Sequence, residues 1–284
     1  MFDKITIVGM GLLGGSLGMG CRQKRLARKV VGVVRRTSAV EEVLKHNAAD
    51  EVTLDICEGV ASADLVVMAI PMESIPVLAR QARAALSRRC IVTDVGSVKG
   101  SLVLRMERLL KSTCHYVGGH PMAGSEKSGI AIASPTLFEG STCILTPTKN
   151  SSPTAVRKVR RLWEALGCRV VHLTPRQHDI SIALVSHLPH VAASSLVNVL
   201  AGSSRDPLST VKLAGKGFKD TTRIAAASPK LWAGICIENR DAVLRSLEVL
   251  REKTSEFAEL LKGKDREGLE AFFQKAKDLK DRSN

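Results

Sequence analysis

The apolar run Ile5-Thr6-Ile7-Val8 passes directly into Gly9-Met10-Gly11-Leu12-Leu13-Gly14-Gly15-Ser16. A short β-rich segment followed at once by GxGxxG and then by a helical pattern admits very few folds. Gly9 serves the tight turn, Gly11 lets a main chain approach a pyrophosphate, and Gly14 lets the following helix pack closely on the strand. The motif alone is common, and glycines can merely turn a loop. Its strand-to-helix setting makes a dinucleotide site the reading adopted here, with Gly9, Gly11, Leu12, Leu13 and Gly14 lining it.

The rest of the first half supports that reading. Further strands are expected at KVVGVV (29 to 34), DLVVMAI (64 to 70), CIVTDV (90 to 95), TCILTP (142 to 147) and RVVHL (169 to 173), with helix-length segments between the earlier ones. Continuous Val/Ile/Leu strands alternating with helices mark an α/β fold, a doubly wound, mostly parallel sheet of Rossmann type covered on both faces. After about residue 174 the strand signals stop. Helices are expected over 177 to 201, from Ser228-Pro229 in one long pattern to about Leu261, and from about Asp265 to Lys280, with a Gly-punctuated region before Ser228. Ser228 followed by Pro229 suits an N-cap and first turn. Two domains follow: residues 1–174 bind the dinucleotide, and residues 175–284 form an all-helical second domain.

The second strand tells which dinucleotide. An Asp or Glu about 20 residues after the last motif glycine would grip the ribose 2′-hydroxyl of NAD. Here the strand ends in Arg35 and Arg36, with Thr37 and Ser38 beyond. Guanidinium groups suit the additional 2′-phosphate of NADP, so NADP is preferred and NAD is the alternative. Solvated surface charge is the plainer account of the same two arginines.

The 284 residues carry 42 Lys and Arg against 28 Asp and Glu, a formal charge of +14. Much of it sits in RQKRLARK (22 to 29) and VRKVRR (156 to 161), without interleaved aromatics. With one Tyr, two Trp and six Phe in the chain, stacking platforms for nucleic acid are scarce. An anionic substrate and a phosphate-rich cofactor account for the charge, and no nucleic-acid partner is expected. No apolar stretch in the sequence approaches the roughly 20 residues of a membrane helix, and no basic segment precedes the first apolar run, so a cytoplasmic protein is expected. Seven scattered cysteines without a CxxC pair suggest neither a disulfide framework nor a metal site.

Three polar segments remain: Thr93 to Lys99 (TDVGSVK), Gly118 to Gly129 (GGHPMAGSEKSG), and His178-Asp179 with Ser186-His187-Leu188-Pro189-His190. The first two fall beyond the carboxyl ends of strands, where open α/β sheets bind ligands. His120 is thereby placed beside a nicotinamide. At these residues the chain resembles the prephenate and arogenate dehydrogenases of the tyrosine branch. The matching elements are GxGLLGGS, DVGSVK, GGHPMAGSEKSG, HD followed by SHLPH, and Gly217 to Ala225 (GFKDTTRIA). They run in order along nearly the whole chain, and GGHPMAGSEKSG is the most specific.

The resemblance implies oxidative decarboxylation of prephenate to 4-hydroxyphenylpyruvate, with hydride passing to NAD(P). Arogenate, giving tyrosine directly, is the alternative substrate. It implies that His120 is the catalytic histidine and that Ser97 hydrogen-bonds in the same network, beside the cofactor. Arg223 holds a substrate carboxylate, Ser125 contacts the substrate side chain, and Glu126 pairs with Arg223 at the entrance. His190 lines the pocket with Ser186 four residues before it, an approximate face because Pro189 intervenes. His178 stands either in the substrate site or as a structural partner of Asp179, and His187 is expected to bond locally. The family's helical domain forms a homodimer, and no metal is implied. Rival readings are another Rossmann-plus-helix oxidoreductase, such as a β-hydroxyacid dehydrogenase, and a nucleotide-sensing or nucleic-acid-binding protein without catalysis.

Overall fold

The computed structural model describes residues 1–125 and 127–282. Strand β1 (Phe2–Val8) feeds α1 (Leu12–Gln23), followed by β2 (Ala27–Val33), α2 (Ser38–Lys45), β3 (Glu51–Thr53), α3 (Ile56–Val60) and β4 (Leu65–Met68). Next come α4 (Ile75–Ala82), β5 (Ile91–Asp94), α5 (Gly100–Leu110), β6 (His115–Pro121), β7 (Thr142–Thr146), α6 (Pro153–Ala165) and β8 (Arg169–His172). The strands form one sheet in the order β3-β2-β1-β4-β5-β6-β7-β8. Strands β1 to β6 are parallel, β7 runs antiparallel to β6, and β8 is parallel to β7.

Side-chain alternation within the strands divides the core into two layers. Leu65 and Val67 join the layer under α1, α2 and α6, built from Leu17, Cys21, Val43, Val159, Leu162 and Trp163. Val66 and Met68 face the opposite layer, with Ile75 and Ala79 of α4 and Leu102, Val103 and Met106 of α5. Successive strand residues point to opposite faces, so a strand buried on both sides must be apolar throughout, as LVVM is. The doubly wound, mostly parallel arrangement expected from the sequence is the one observed.

Two strands were not expected. Strand β3 is three residues long at the sheet edge, and β6 contains Gly118-Gly119-His120-Pro121, a poor strand former by composition. Packing dictates that composition. A Cβ on Gly118 would lie 2.4 Å from Thr146 Oγ1, and one on Gly119 would lie 2.9 Å from the main-chain oxygen of Asp94.

From residue 175 onward the chain is helical: α7 (Pro175–Ile182), a π turn (Ala183–His187), α8 (Leu188–Ser203), α9 (Pro207–Lys212), α10 (Lys216–Thr222), a 3-10 turn (Arg223–Ala226), α11 (Pro229–Glu238), α12 (Arg240–Lys262) and α13 (Arg266–Asp281). Ser228 caps α11 by accepting from the Leu231 N–H at 3.4 Å. The long helix expected from Ser228 to Leu261 is broken at Asn239, whose backbone (φ −106°, ψ 27°) leaves the helical region between α11 and α12.

The expectation that no segment is long and apolar enough for a membrane span is corrected here. Through the π turn, Pro175–Ser203 is continuous over 29 residues and passes that test by length and composition. The sequence reading gives a helix over 177 to 201 with Pro189, which lacks an N–H, as an interruption in it. The π turn absorbs that proline, with Leu188 N–H donating to Ala183 O.

One buried ion pair ties the end of β5 to the start of α5. Lys99 Nζ donates to Asp94 Oδ2, and both side chains are 0% exposed. Asp94 also accepts from Tyr116 Oη (2.7 Å), Gly96 N–H (2.8 Å) and Gly119 N–H (3.2 Å). Removing one member of such a pair strands a charge in the interior, at a cost of about 3 to 5 kcal/mol. Lys99→Met should lower the urea unfolding free energy by about that amount, and the double variant Asp94→Asn/Lys99→Met should recover much of it. Equal stability of Lys99→Met and wild type would show that the pair is not buried as described.

Candidate active site

The glycine turn after β1 lies where the strand order reverses between β1 and β4, the crevice in which doubly wound sheets bind dinucleotides. Gly9 has φ +94°, and its Cβ would lie 2.4 Å from Ala69 O. A Cβ on Gly14 would lie 1.8 Å from Gly9 O, so only glycine lets α1 start this close to the strand. Around Gly11 the situation is opposite, with no atom within 4 Å of the added Cβ. That open space at a helix N-terminus fits a pyrophosphate approaching the main chain of Gly11, Leu12 and Leu13. Arg35 and Arg36 stand exposed just past β2, where the sequence reading placed the ribose 2′ group.

Ser97 sits half-buried in the loop after β5, next to Gly96, which Asp94 anchors. His120 lies in the neighbouring strand β6, and its main chain is anchored through Gly119 to the same carboxylate. Asp94 therefore fixes both candidate groups from below.

The helical half meets them from the other side. His120 Nδ1 lies 2.8 Å from His178 Nε2, and His178 Nδ1 lies 2.8 Å from Asp179 Oδ1. Asp179 also accepts the main-chain N–H groups of Lys99 (2.8 Å) and Gly100 (2.7 Å), at the start of α5. The carboxylate can only accept, so His178 carries its proton on Nδ1. A neutral His178 then offers Nε2 as an acceptor, which places the His120 proton on Nδ1. The free nitrogen of His120 is Nε2, a base pointing away from the relay.

Burial, reinforced by the nearby His178, Lys99 and His187, holds the His120 imidazole well below the ordinary histidine range. His178 is also lowered, chiefly by burial, against the opposing pull of Asp179. Both imidazoles are therefore neutral at neutral pH, and His120 can accept a proton. The sequence reading left His178 between a substrate contact and a partner of Asp179. The structure gives it the Asp179 bond and, in addition, a bond to His120.

His190 is half-buried, with Nδ1 3.1 Å from the main-chain oxygen of Ser186. Ser186 thus meets His190 through its carbonyl, and the residue spacing read from the sequence survives because the π turn carries the helix past Pro189. Burial lowers the His190 imidazole, and the charge of Arg223 lowers it further, which places that guanidinium nearby. Arg223 begins the turn after α10 and is exposed. Ser125 is exposed in the loop after β6, its Oγ accepting from Lys127 N–H at 3.2 Å. Glu126 lies outside the described residues. Among those described, no group of three or more His, Cys, Asp or Glu is placed to hold a metal.

Sequence reasoning missed Trp232, Asn239 and the anchoring role of Asp94. Trp232 stacks on His190 with ring centroids 3.5 Å apart and planes 22° apart. His187, expected to bond locally, instead meets Asn239, 52 residues away, at 3.1 Å. No local pattern signals a tryptophan or asparagine that acts through a distant helix. Asp94 sat within a motif already singled out, and its strand-end position between apolar residues was a usable sign.

Residues 17–172 match the family described as prephenate dehydrogenase, nucleotide-binding domain, and residues 174–275 match prephenate dehydrogenase, dimerization domain. The prephenate dehydrogenase of Bacillus subtilis (strain 168) is 32% identical over 282 residues, covering 99% of this chain and 76% of that protein. The solved prephenate dehydrogenase of A. aeolicus, in complex with hydroxyphenyl propionate and NAD+, superposes with a TM-score of 0.94 at 33% identity. That superposition covers 100% of this chain and 99% of the other. Synechocystis arogenate dehydrogenase superposes with a TM-score of 0.86 at 30% identity, over 99% and 100% of the two chains. Site geometry and similarity along the whole length agree: the chain belongs to the prephenate dehydrogenase family, NAD(P)-dependent oxidoreductases of aromatic amino-acid biosynthesis.

Proposed function

We propose that this enzyme oxidises prephenate to 4-hydroxyphenylpyruvate with loss of carbon dioxide, with His120 as the base. The observation that carries the proposal is the Asp179–His178–His120 relay, which leaves His120 Nε2 as an open acceptor. Bound NAD(P) supplies the hydride acceptor. His120 Nε2 accepts the hydrogen bond of the ring hydroxyl and takes its proton as the carbon–hydrogen bond breaks. Ser97, held beside it by the Asp94-anchored loop, keeps the hydroxyl in register. Release of carbon dioxide leaves an aromatic ring, which makes the reaction strongly downhill.

In this reading Arg223 holds a substrate carboxylate with its planar fork, and Ser125 contacts the substrate side chain. His190 and Ser186 form the wall opposite the cofactor. Arogenate is the second reading, supported by the similarity to Synechocystis arogenate dehydrogenase along the full chain. Residues 1–174 serve as the cofactor unit and residues 175–284 as the substrate-binding and dimerisation unit. Leu196, Val199, Leu208 and Leu213 of the helical half are exposed apolar side chains, which a second copy would cover. Seven unpaired cysteines suit a reducing compartment, and we place the enzyme in the cytoplasm.

The direct test is a two-by-two assay, following reduced cofactor, of prephenate and arogenate with NAD and NADP. Prephenate should give the larger kcat/KM, and inactivity on both substrates would end the proposal.

His120→Asn should keep cofactor affinity and lose about 100- to 10,000-fold in kcat, because the amide cannot take a proton. The pH profile gives a second check. A base whose conjugate acid is depressed stays unprotonated to lower pH, so the acid limb of kcat/KM should lie below pH 6.5. A near-normal kcat for His120→Asn, or an acid limb at or above 6.5, would remove His120 from this role.

For the cofactor we propose NADP over NAD, supported by Arg35 and Arg36 at the end of β2 where NAD enzymes carry a carboxylate. Arg35→Asp should shift preference toward NAD, since the new carboxylate repels a 2′-phosphate and accepts from ribose hydroxyls. A wild type that already favours NAD by kcat/KM contradicts the assignment.

A further inference from the structure

Asn239 breaks the helical run between α11 and α12 and is 5% exposed. Its Nδ2 donates to the main-chain oxygen of Asp179 at 2.9 Å and lies 3.1 Å from His187 Nδ1. The Asp179 carbonyl can only accept, so the amide nitrogen, not the amide oxygen, must face it. The second hydrogen of that nitrogen then points to His187. Nδ1 of His187 is therefore the unprotonated nitrogen, and the ring carries its proton on Nε2. Burial, with His178 close by, pushes this imidazole down to about 4, which keeps it neutral.

The Nε2–H of His187 has no hydrogen-bond partner among the described residues, and the side chain is 1% exposed. Its ring instead stands edge-on to Trp232, with centroids 5.9 Å apart and planes at 77°. Trp232 in turn lies flat on His190. One amide group thus touches two systems. Through Asp179 it reaches the turn of α7 that carries the relay to His120. Through His187 it reaches the Trp232–His190 wall.

We propose that Asn239 is a positioning residue for the reaction: from one buried amide it fixes the α7 turn bearing His178 and Asp179, and holds His187 in the Nε2-protonated form that seats Trp232 against His190. The proposal rests on the reading of His120 and His190 given above. Asn239 touches neither substrate nor cofactor in this account and acts only through its two neighbours.

The first measurement needs no variant. Nitrogen-15 NMR of the wild-type enzyme without substrate should show His187 as a neutral ring protonated on Nε2. A ring protonated on Nδ1 overturns the proposal, whatever the substrate proves to be. This arm therefore fails independently of the functional assignment. In Asn239→Asp the carboxylate can only accept from Nδ1, as Asp179 does from His178, so the His187 signals should move to those of a ring protonated on Nδ1.

The kinetic arm uses Asn239→Ala, His187→Phe and the double variant, assayed with prephenate at a temperature where circular dichroism shows each folded. Asn239→Ala should lose about 10- to 100-fold in kcat/KM, as for two buried hydrogen bonds, with cofactor affinity measured by fluorescence unchanged. The loss should be divided between a raised KM, from the displaced Trp232–His190 wall, and a lowered kcat, from the displaced relay. In the His187→Phe background the same substitution should cost clearly less, because part of its effect is already gone. A merely structural asparagine would lower the melting temperature and leave these parameters as in wild type, which would overturn the proposal. Full additivity of the two single-variant losses would also overturn it, since Asn239 would then not act through His187.

Discussion

The site hangs on a buried carboxylate. Asp94 gathers four donors at the carboxyl end of β5: the Lys99 ammonium, the Tyr116 hydroxyl, and the N–H groups of Gly96 and Gly119. An apolar pair of similar volume could make the interior as stable, since desolvation offsets most of the attraction between buried charges. It could not receive hydrogen bonds from two separate main-chain segments. Those two bonds set the loop bearing Ser97 against the strand bearing His120. The burial of Tyr116 beside this anion pushes its phenol well above the ordinary range, so it remains a donor. The charge at Asp94 is thus used for geometry, and the neighbouring ammonium helps keep His120 unprotonated.

A second carboxylate joins the helical half to this assembly. Asp179 takes the N–H groups of Lys99 and Gly100, where the N-terminal end of α5 would otherwise leave donors open. The same carboxylate sets the His178 tautomer, and His178 sets that of His120. His187 is set by Asn239, and His190 by the Ser186 carbonyl. Each of the four imidazoles has its proton located by a protein group before any substrate arrives. Preorganisation of this kind removes a reorientation step from proton transfer.

The sequence made legible those features governed by local chemistry. The glycine turn has requirements that only Gly9 and Gly14 meet, and apolar strands such as LVVM need burial on both faces. The strand β6 stayed hidden because Gly118 and Gly119 are chosen by contact with Thr146 and Asp94, not by strand propensity. Resemblance carried His120, Ser97 and Arg223 into the candidate site. It could not reveal that His187 bonds across 52 residues to Asn239, or that Trp232 lies on His190. Nor could helical spacing foresee the break at Asn239, where a buried tertiary bond prevails over a continuous apolar pattern. A π turn likewise leaves no periodic trace, yet it lets a helix continue through Pro189 with His190 still facing Ser186.

The helix that meets the membrane criterion shows how composition and placement part company. Pro175–Ser203 is apolar enough to span a bilayer, yet in its first turns His178 and Asp179 are bonded to the sheet half. Drawing that end into lipid would break the relay and uncap α5, leaving buried polar groups without partners. Only 22% of its apolar window is buried within one chain. Val185, Leu196 and Val199 on this run, with Leu208 and Leu213 after it, are apolar side chains that a single copy leaves in water. A bilayer and a second helical layer both remove such side chains from water. A second helical layer does so while leaving Asp179 on the N-terminus of α5 and His178 on His120. Dimerisation, as proposed above, therefore reconciles a membrane-like helix with a site that needs one end of it anchored to the sheet.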